Sequence, residues 1–125
     1  MNLSRHDKHI AGKVLLYVLP LVSGVLTSFP FTFPWVDWVA WVSLIPFLYV
    51  LFCFRIGLKE ALLASFLFSF AFYTCLLHWL LWLHPLTWLT FTHTQSIIIV
   101  LGAWIGSSLV YSAGLCLAGI TVFIL

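Results

Sequence analysis

Four long apolar stretches, separated by short polar or proline-bearing breaks, limit what this chain can fold into more than any other feature. They run from Val14 to Phe29, Trp35 to Phe54, Ala61 to Leu83 and Ile97 to Leu125. A helix needs about 20 apolar residues to cross the hydrocarbon core of a bilayer. By length the second, third and fourth stretches qualify, while the first is marginal unless it extends back through Ile10. The third carries twelve Leu and Phe residues. At about 0.3–0.6 kcal/mol each near a helix centre, these favour insertion by roughly 4–7 kcal/mol. A neutral His78 and a few hydroxyls do not reverse that sum.

Composition excludes the alternative of a soluble core. Of 125 residues, 64% are hydrophobic and 6% charged, against about 25% charged in ordinary soluble domains. So short a chain cannot hide that much apolar surface from water. In lipid every backbone polar group must be paired within its own segment, so each stretch is expected to be a helix. No alternating pattern supports a β-barrel. The expected fold is therefore an all-α integral membrane protein with about four transmembrane helices, at about 14–29, 35–54, 61–83 and 97–125. A cytoplasmic basic tail is expected over 1–13, ahead of a helical region over 14–125.

The breaks have recognisable chemistry. Pro30 and Pro34 are expected to bracket a turn, with Asp37 opening or capping the second helix. Arg55, Gly57, Lys59 and Glu60 form a polar hinge. His84-Pro85 should end the third helix, because the residue before proline is pushed out of helical geometry. Thr87 to Ser96 supplies a polar connector. Pro20 and Pro46 fall inside spans, where membrane helices tolerate kinks.

The five basic residues fix an expected orientation. Arg5, Lys8, Lys13, Arg55 and Lys59 sit only in the N-terminal tail and the second loop, which a four-helix path puts on one side. By the positive-inside rule that side is cytoplasmic, so the N-terminus is too. The basic tail is expected to meet anionic headgroups. Trp35, Trp38, Trp82 and Trp88 gather toward the opposite face as an interfacial belt. No small-residue cleavage site is clear before Pro30, so the first helix is expected to be retained rather than removed as a signal peptide. The last stretch stays apolar to Ile124 and Leu125 without an anchor, which is the pattern expected of a partial chain.

Reactive groups are scarce. Cys53, Cys75 and Cys116 lie far apart in apolar runs and are expected to be buried, inert thiols. His78 and His84 are six positions apart and face different sides of one helix; His84 and His93 lie near the interface, where a histidine is simply solvated. No metal or cofactor site is expected. His78 stands out, since a polar group within a span is costly and often functional, although near the outer end it can simply bond a neighbouring helix. None of the acids Asp7, Asp37 and Glu60 is embedded in a span, Asp37 standing at the outer start of the second, so no catalytic grouping can be assembled. A net charge of +2 gives no reason to expect a nucleic-acid partner.

Small residues offer packing rather than chemistry. Gly102, Gly106, Gly114 and Ala118 fall on one i,i+4 row of the fourth stretch, interrupted by Val110. Such a row lets another helix approach closely, either inside this bundle, the favoured reading, or from a second protein. Ala61, Ser65 and Ser69 make a similar row on the third stretch.

Ser23-Gly24, the following run to Pro30, the segment Trp38 to Trp41, Leu44-Ile-Pro46-Phe-Leu48, and Tyr73 with His78-Trp79 together resemble the opening of bacterial apolipoprotein N-acyltransferase. The likeness covers roughly Val14 to Leu83, and the fourth stretch is similar in position and small-residue content. The family carries glycines where Ser65, Ser69 and Ala71 stand here. The resemblance implies helices in the bacterial inner membrane, with the N-terminus cytoplasmic. It also implies a nitrilase-like domain on the outer face, with a Glu-Lys-Cys triad. That domain moves an acyl chain from phospholipid, through a thioester, to the N-terminal amine of a diacylglyceryl lipoprotein. None of it lies within these 125 residues, and none of the three cysteines matches the family nucleophile. The expected function is thus a membrane-embedded, non-catalytic part of an N-acyltransferase-like protein, with phospholipid and a lipoprotein substrate as partners of the whole. The alternative is a small standalone subunit or assembly partner of a larger membrane complex. A minor transporter or channel fits less well, because the spans lack charges.

Overall fold

The computed structural model describes residues 5–53 and 56–124, and side-chain surroundings for 12–33, 35–52, 56–117, 120 and 121. Four α-helices account for most of the described chain, and no strand occurs among the described residues. They are α1 (Arg5–Thr32), α2 (Asp37–Cys53), α3 (Leu58–Leu76) and α4 (His93–Ile124). A 3-10 turn at Pro34–Val36 joins α1 to α2, and α3 continues as a 3-10 helix over Leu77–Leu83. A further 3-10 turn at Thr87–Leu89 precedes α4.

Local chemistry explains most of these boundaries. Glu60 reaches back to accept from the Gly57 N–H at 3.2 Å, so α3 begins at Leu58 inside the expected hinge. At α4, Thr92 N–H donates to Gln95 Oε1 at 3.1 Å, and Gln95 N–H donates to Thr92 Oγ1 at 3.4 Å. This reciprocal pair is a capping box. It starts α4 at His93 rather than at Ile97, within the segment expected to be connector. Asp37 opens α2, where its carboxylate suits the positive end of the helix dipole. The third helix stops at Leu83, just before His84-Pro85.

Two lengths differ from expectation. The first helix is not marginal: it continues through Pro30 to Thr32 and takes in residues from Arg5 onward that were expected to be tail. Pro30 therefore does not begin the turn, which forms only after Phe33, whose N–H still bonds the Phe29 carbonyl at 2.9 Å. The second helix starts later than expected, because Pro34–Val36 are spent on the turn. Its 17 described residues cover about 25 Å at about 1.5 Å per residue. Among the described residues, three segments are long and apolar enough to cross a membrane: Gly12–Thr32, Leu58–Leu83 and His93–Leu117. Arg55 and Phe54, expected in the second loop and at the end of the second span, lie outside the described residues.

The helices are arranged with α1 between α2 and α3, and α4 on the far side of α3. Gly24 makes the α1–α3 crossing possible: a Cβ there would meet the Phe68 carbonyl oxygen and lie 3.1 Å from Ala71 Cβ. Around it Ala61, Ala64, Ser65, Phe68, Ser69 and Ala71 are buried, so the small row expected on the third helix is part of the packed interior. Phe68 stacks on Phe47 of α2 with centroids 4.3 Å apart, and Phe72 meets Phe31 edge-on at 5.8 Å.

The distribution of residue types is inverted relative to a soluble domain. Ser23, Ser28, Ser43, Ser65, Ser69, Ser96, Ser108 and Ser112 are buried. Trp35 at 91%, Trp82 at 82% and Phe52 at 76% are among many large apolar side chains left exposed. The buried hydroxyls stay paired by bonding back to their own helices. Ser69 donates to the Ser65 carbonyl at 2.6 Å, Ser108 to the Trp104 carbonyl at 2.8 Å and Ser112 to the Ser108 carbonyl at 2.5 Å. Between helices, Ser23 donates to the Ser43 carbonyl, and Thr27 and Ser43 share a 2.8 Å hydrogen bond.

Candidate functional site

Two places bring polar side chains together at the end of the bundle where α1 finishes and the 3-10 extension of α3 runs out. The first is a cavity of about 230 Å³ between α1 and α3, lined by Val25, Ser28, Phe29, Thr32, Phe33, Cys75 and His78. Its polar groups are largely committed to the backbone. Ser28 Oγ donates to the Val25 carbonyl at 2.6 Å, and His78 Nδ1 lies 2.7 Å from the Cys75 carbonyl, three residues earlier on its own helix. With Nδ1 donating there, Nε2 is the basic nitrogen. His78 is thus exposed at the cavity rim and bonds its own helix rather than a neighbouring one.

The second is a cluster in the α3–α4 connection. His84 Nδ1 lies 2.8 Å from Ser96 Oγ, and the same oxygen accepts the buried Leu86 N–H at 2.9 Å. The His84 and His93 rings meet edge-on, with centroids 4.6 Å apart. Sequence spacing separated these two histidines, and neither was expected to interact with the other. The signal that could have paired them is the Thr92–Gln95 capping box, which turns the chain so that α4 begins directly at His93.

The cysteines are less buried than expected. Cys75 and Cys116 are free thiols of intermediate exposure, and Cys116 Sγ contacts the Leu62 carbonyl at 3.8 Å. The side chain of Cys53 lies outside the described ones. No group of three or more His, Cys, Asp or Glu gathers among the described residues.

The glycine row on α4 does not pack inside the bundle. A Cβ at Gly102, Gly106 or Gly114 would meet nothing within 4 Å. The face of α4 turned to α3 is instead the i,i+4 row Ser96, Val100, Trp104, Ser108, Ser112 and Cys116. Its members are buried or half-buried. Trp104 Nε1 donates to the Thr74 carbonyl at 3.0 Å, and Tyr111 stacks on Tyr73 at 5.2 Å. Serines can approach a neighbouring helix nearly as closely as glycines, and tryptophan adds a hydrogen bond. Ala118 lies outside the described side chains.

Comparison of the chain with protein-family models, with curated proteins and with solved structures finds no match.

Proposed function

We propose that this chain is a multi-pass protein of the bacterial inner membrane that acts as a packing and lipid-contacting module without catalysis of its own. The observation that carries this reading is the inverted interior, with serines inside and large apolar side chains outside. Soluble monomers rarely expose contiguous apolar patches beyond a few hundred Å², whereas here large apolar side chains are exposed along α1 to α4. In hydrocarbon that exposure costs nothing, and small or hydroxyl-bearing residues are what hold membrane helices together. Among the described residues, three helices of sufficient length support insertion.

The orientation we propose puts Lys13 and Lys59 on the cytoplasmic side and Trp35, Trp38, Trp82 and Trp88 at the outer interface. A single cysteine introduced by Lys59→Cys or Trp88→Cys, with the native cysteines replaced by serine, tests it with a membrane-impermeant maleimide. Labelling at position 88 in intact cells, and at 59 only after lysis, supports the reading. Recovery of the chain in the soluble fraction after carbonate extraction sinks it.

Within that frame, the motif resemblance supports the finer proposal of an N-acyltransferase-like membrane base. In this reading α1 to α3 would border the lipid that supplies the acyl chain, and the purified chain alone would convert no diacylated lipopeptide to a triacylated one. The direct check is whether the gene encodes a Glu/Arg-bearing helix and a nitrilase-like domain in the same polypeptide. The second reading, a subunit or assembly partner of a larger complex, is favoured by the open Gly102, Gly106 and Gly114 face of α4.

A further inference from the structure

We propose that the start of α1 and the first turn of α3 together form a binding surface for the headgroup of an anionic phospholipid, centred on Lys13 and Lys59 and extended by Arg5 and Lys8. The proposal rests on the membrane reading above and gives it a specific lipid partner. A helix fixes which of its residues share a side, and α1 is already helical from Arg5. Positions three or four apart are neighbours on a helix surface. Steps of three and four lead from Arg5 through Lys8 and His9 to Gly12 and Lys13, and on to Leu16, Pro20 and Ser23. Those last three are buried, so the basic positions continue the side of α1 that packs in the bundle. The same steps from Asp7 lead through Ala11 to Val14, Val18 and Val22, which are exposed. The acid thus falls on the other side of the helix.

The packing brings the second helix to the same level. Leu16 clusters with Ala64, and further along Gly24 meets Phe68 and Ala71, so α1 and α3 run in the same direction. Their apolar spans start at Gly12 and Leu58, which makes Lys13 and Lys59 the second residue of each. Lysines at span ends reach out to the interface, and both of these are exposed. Neither is in an ion pair among the described residues. Glu60, the other acid at this end, is occupied by the Gly57 N–H at 3.2 Å. Arg5 stands about 12 Å beyond Lys13, at about 1.5 Å per residue. The chain therefore supplies this end with cations at headgroup depth and little counter-charge. Anionic lipid supplies it instead, each basic residue near the surface strengthening binding roughly fivefold.

The tag-free full chain, purified in a non-ionic detergent, is titrated with dioleoylphosphatidylglycerol or dioleoylphosphatidylcholine, and lipid adducts are counted by native mass spectrometry. The first phosphatidylglycerol is expected to bind at least tenfold more tightly than phosphatidylcholine, with the preference shrinking as salt is raised. Lys13→Gln and Lys59→Gln should each weaken phosphatidylglycerol binding about fivefold. Asp7→Asn raises the net charge on the other side of α1 and should change binding less than twofold. Far-UV spectra matching the parent keep the comparison valid, since Lys13 and Lys59 are exposed. Equal retention of the two lipids would overturn the proposal, even with the chain firmly in the membrane fraction. So would a preference untouched by Lys13→Gln and Lys59→Gln, or one raised as much by Asp7→Asn as a bare net-charge effect demands. Displacement of phosphatidylglycerol by an equimolar octaglutamate peptide would assign the surface to an acidic protein instead, and would equally overturn it.

Discussion

Gly24 in α1 lies against the backbone carbonyl of Phe68 in α3, at a point where no side-chain carbon fits. Around this contact the two central helices come together, and the Phe68 ring then reaches Phe47 on α2. A backbone atom cannot yield as a flexible side chain can. Gly24→Ala is therefore expected to push α1 and α3 apart and to destabilise the bundle by about 1–3 kcal/mol, the usual cost of overpacking. A fall in melting temperature in detergent measures it; an unchanged value would mean the crossing is looser than described.

The glycines of α4 should behave in the opposite way. Gly102→Ala and Gly114→Ala place a methyl group in open space and give a better helix former in place of a poor one. Both variants are expected to melt at or above the parent temperature. Loss of stability in the purified monomer would show that the row packs against something within the chain.

Ser96 joins the α3–α4 connection to α4 through two partners, His84 Nδ1 and the Leu86 N–H. Ser96→Ala leaves the buried Leu86 amide without an acceptor, at a cost of about 1–3 kcal/mol. Amide exchange at Leu86 should accelerate by at least tenfold, with little change in the middle of α3. Uniform acceleration along α3 would point to global loosening instead.

Trp104 ties α4 to α3 by its indole N–H, which donates to the Thr74 carbonyl. Trp104→Phe removes that bond but keeps most of the ring, so the expected loss is about 0.6 kcal/mol, as for interhelical hydrogen bonds within membranes. Chemical or thermal unfolding in mixed micelles would detect it, and a loss several times larger would assign the effect to packing rather than to the bond.

The Thr74 hydroxyl itself is buried without a hydrogen-bond partner among the described residues. Thr74→Val keeps the shape and removes the unpaired oxygen, so it should raise stability, by up to about 1 kcal/mol. A lower melting temperature would reveal a partner for the hydroxyl.

Much of the helical layout was legible in the sequence, and the misses have identifiable causes. Hydrophobic run length located four helices, but it made the first too short and started the second too early. Run length treats Trp35 and Val36 as span, whereas Pro34–Val36 form a 3-10 turn that shortens α2. Composition also hid the start of α4. Thr92 to Gln95 reads as polar linker, although its spacing is that of a capping box and should have been read as a helix start. The candidate site was the least legible part, since His84 and His93 meet only because the intervening turns fold back on Ser96.

By itself the sequence settled that the chain forms long apolar helices and has few groups able to do chemistry. Those properties follow from side-chain transfer energies and from backbone pairing, which are local. Which small residues became the interior was decided only by tertiary structure. The Gly102–Gly114 row and the Ser96–Ser112 row both offer α4 a close-packing face, and periodicity cannot rank them. The serine face was chosen because it carries Trp104, which finds the Thr74 carbonyl, and Tyr111, which finds Tyr73. Such complementarity exists only once two helices lie side by side.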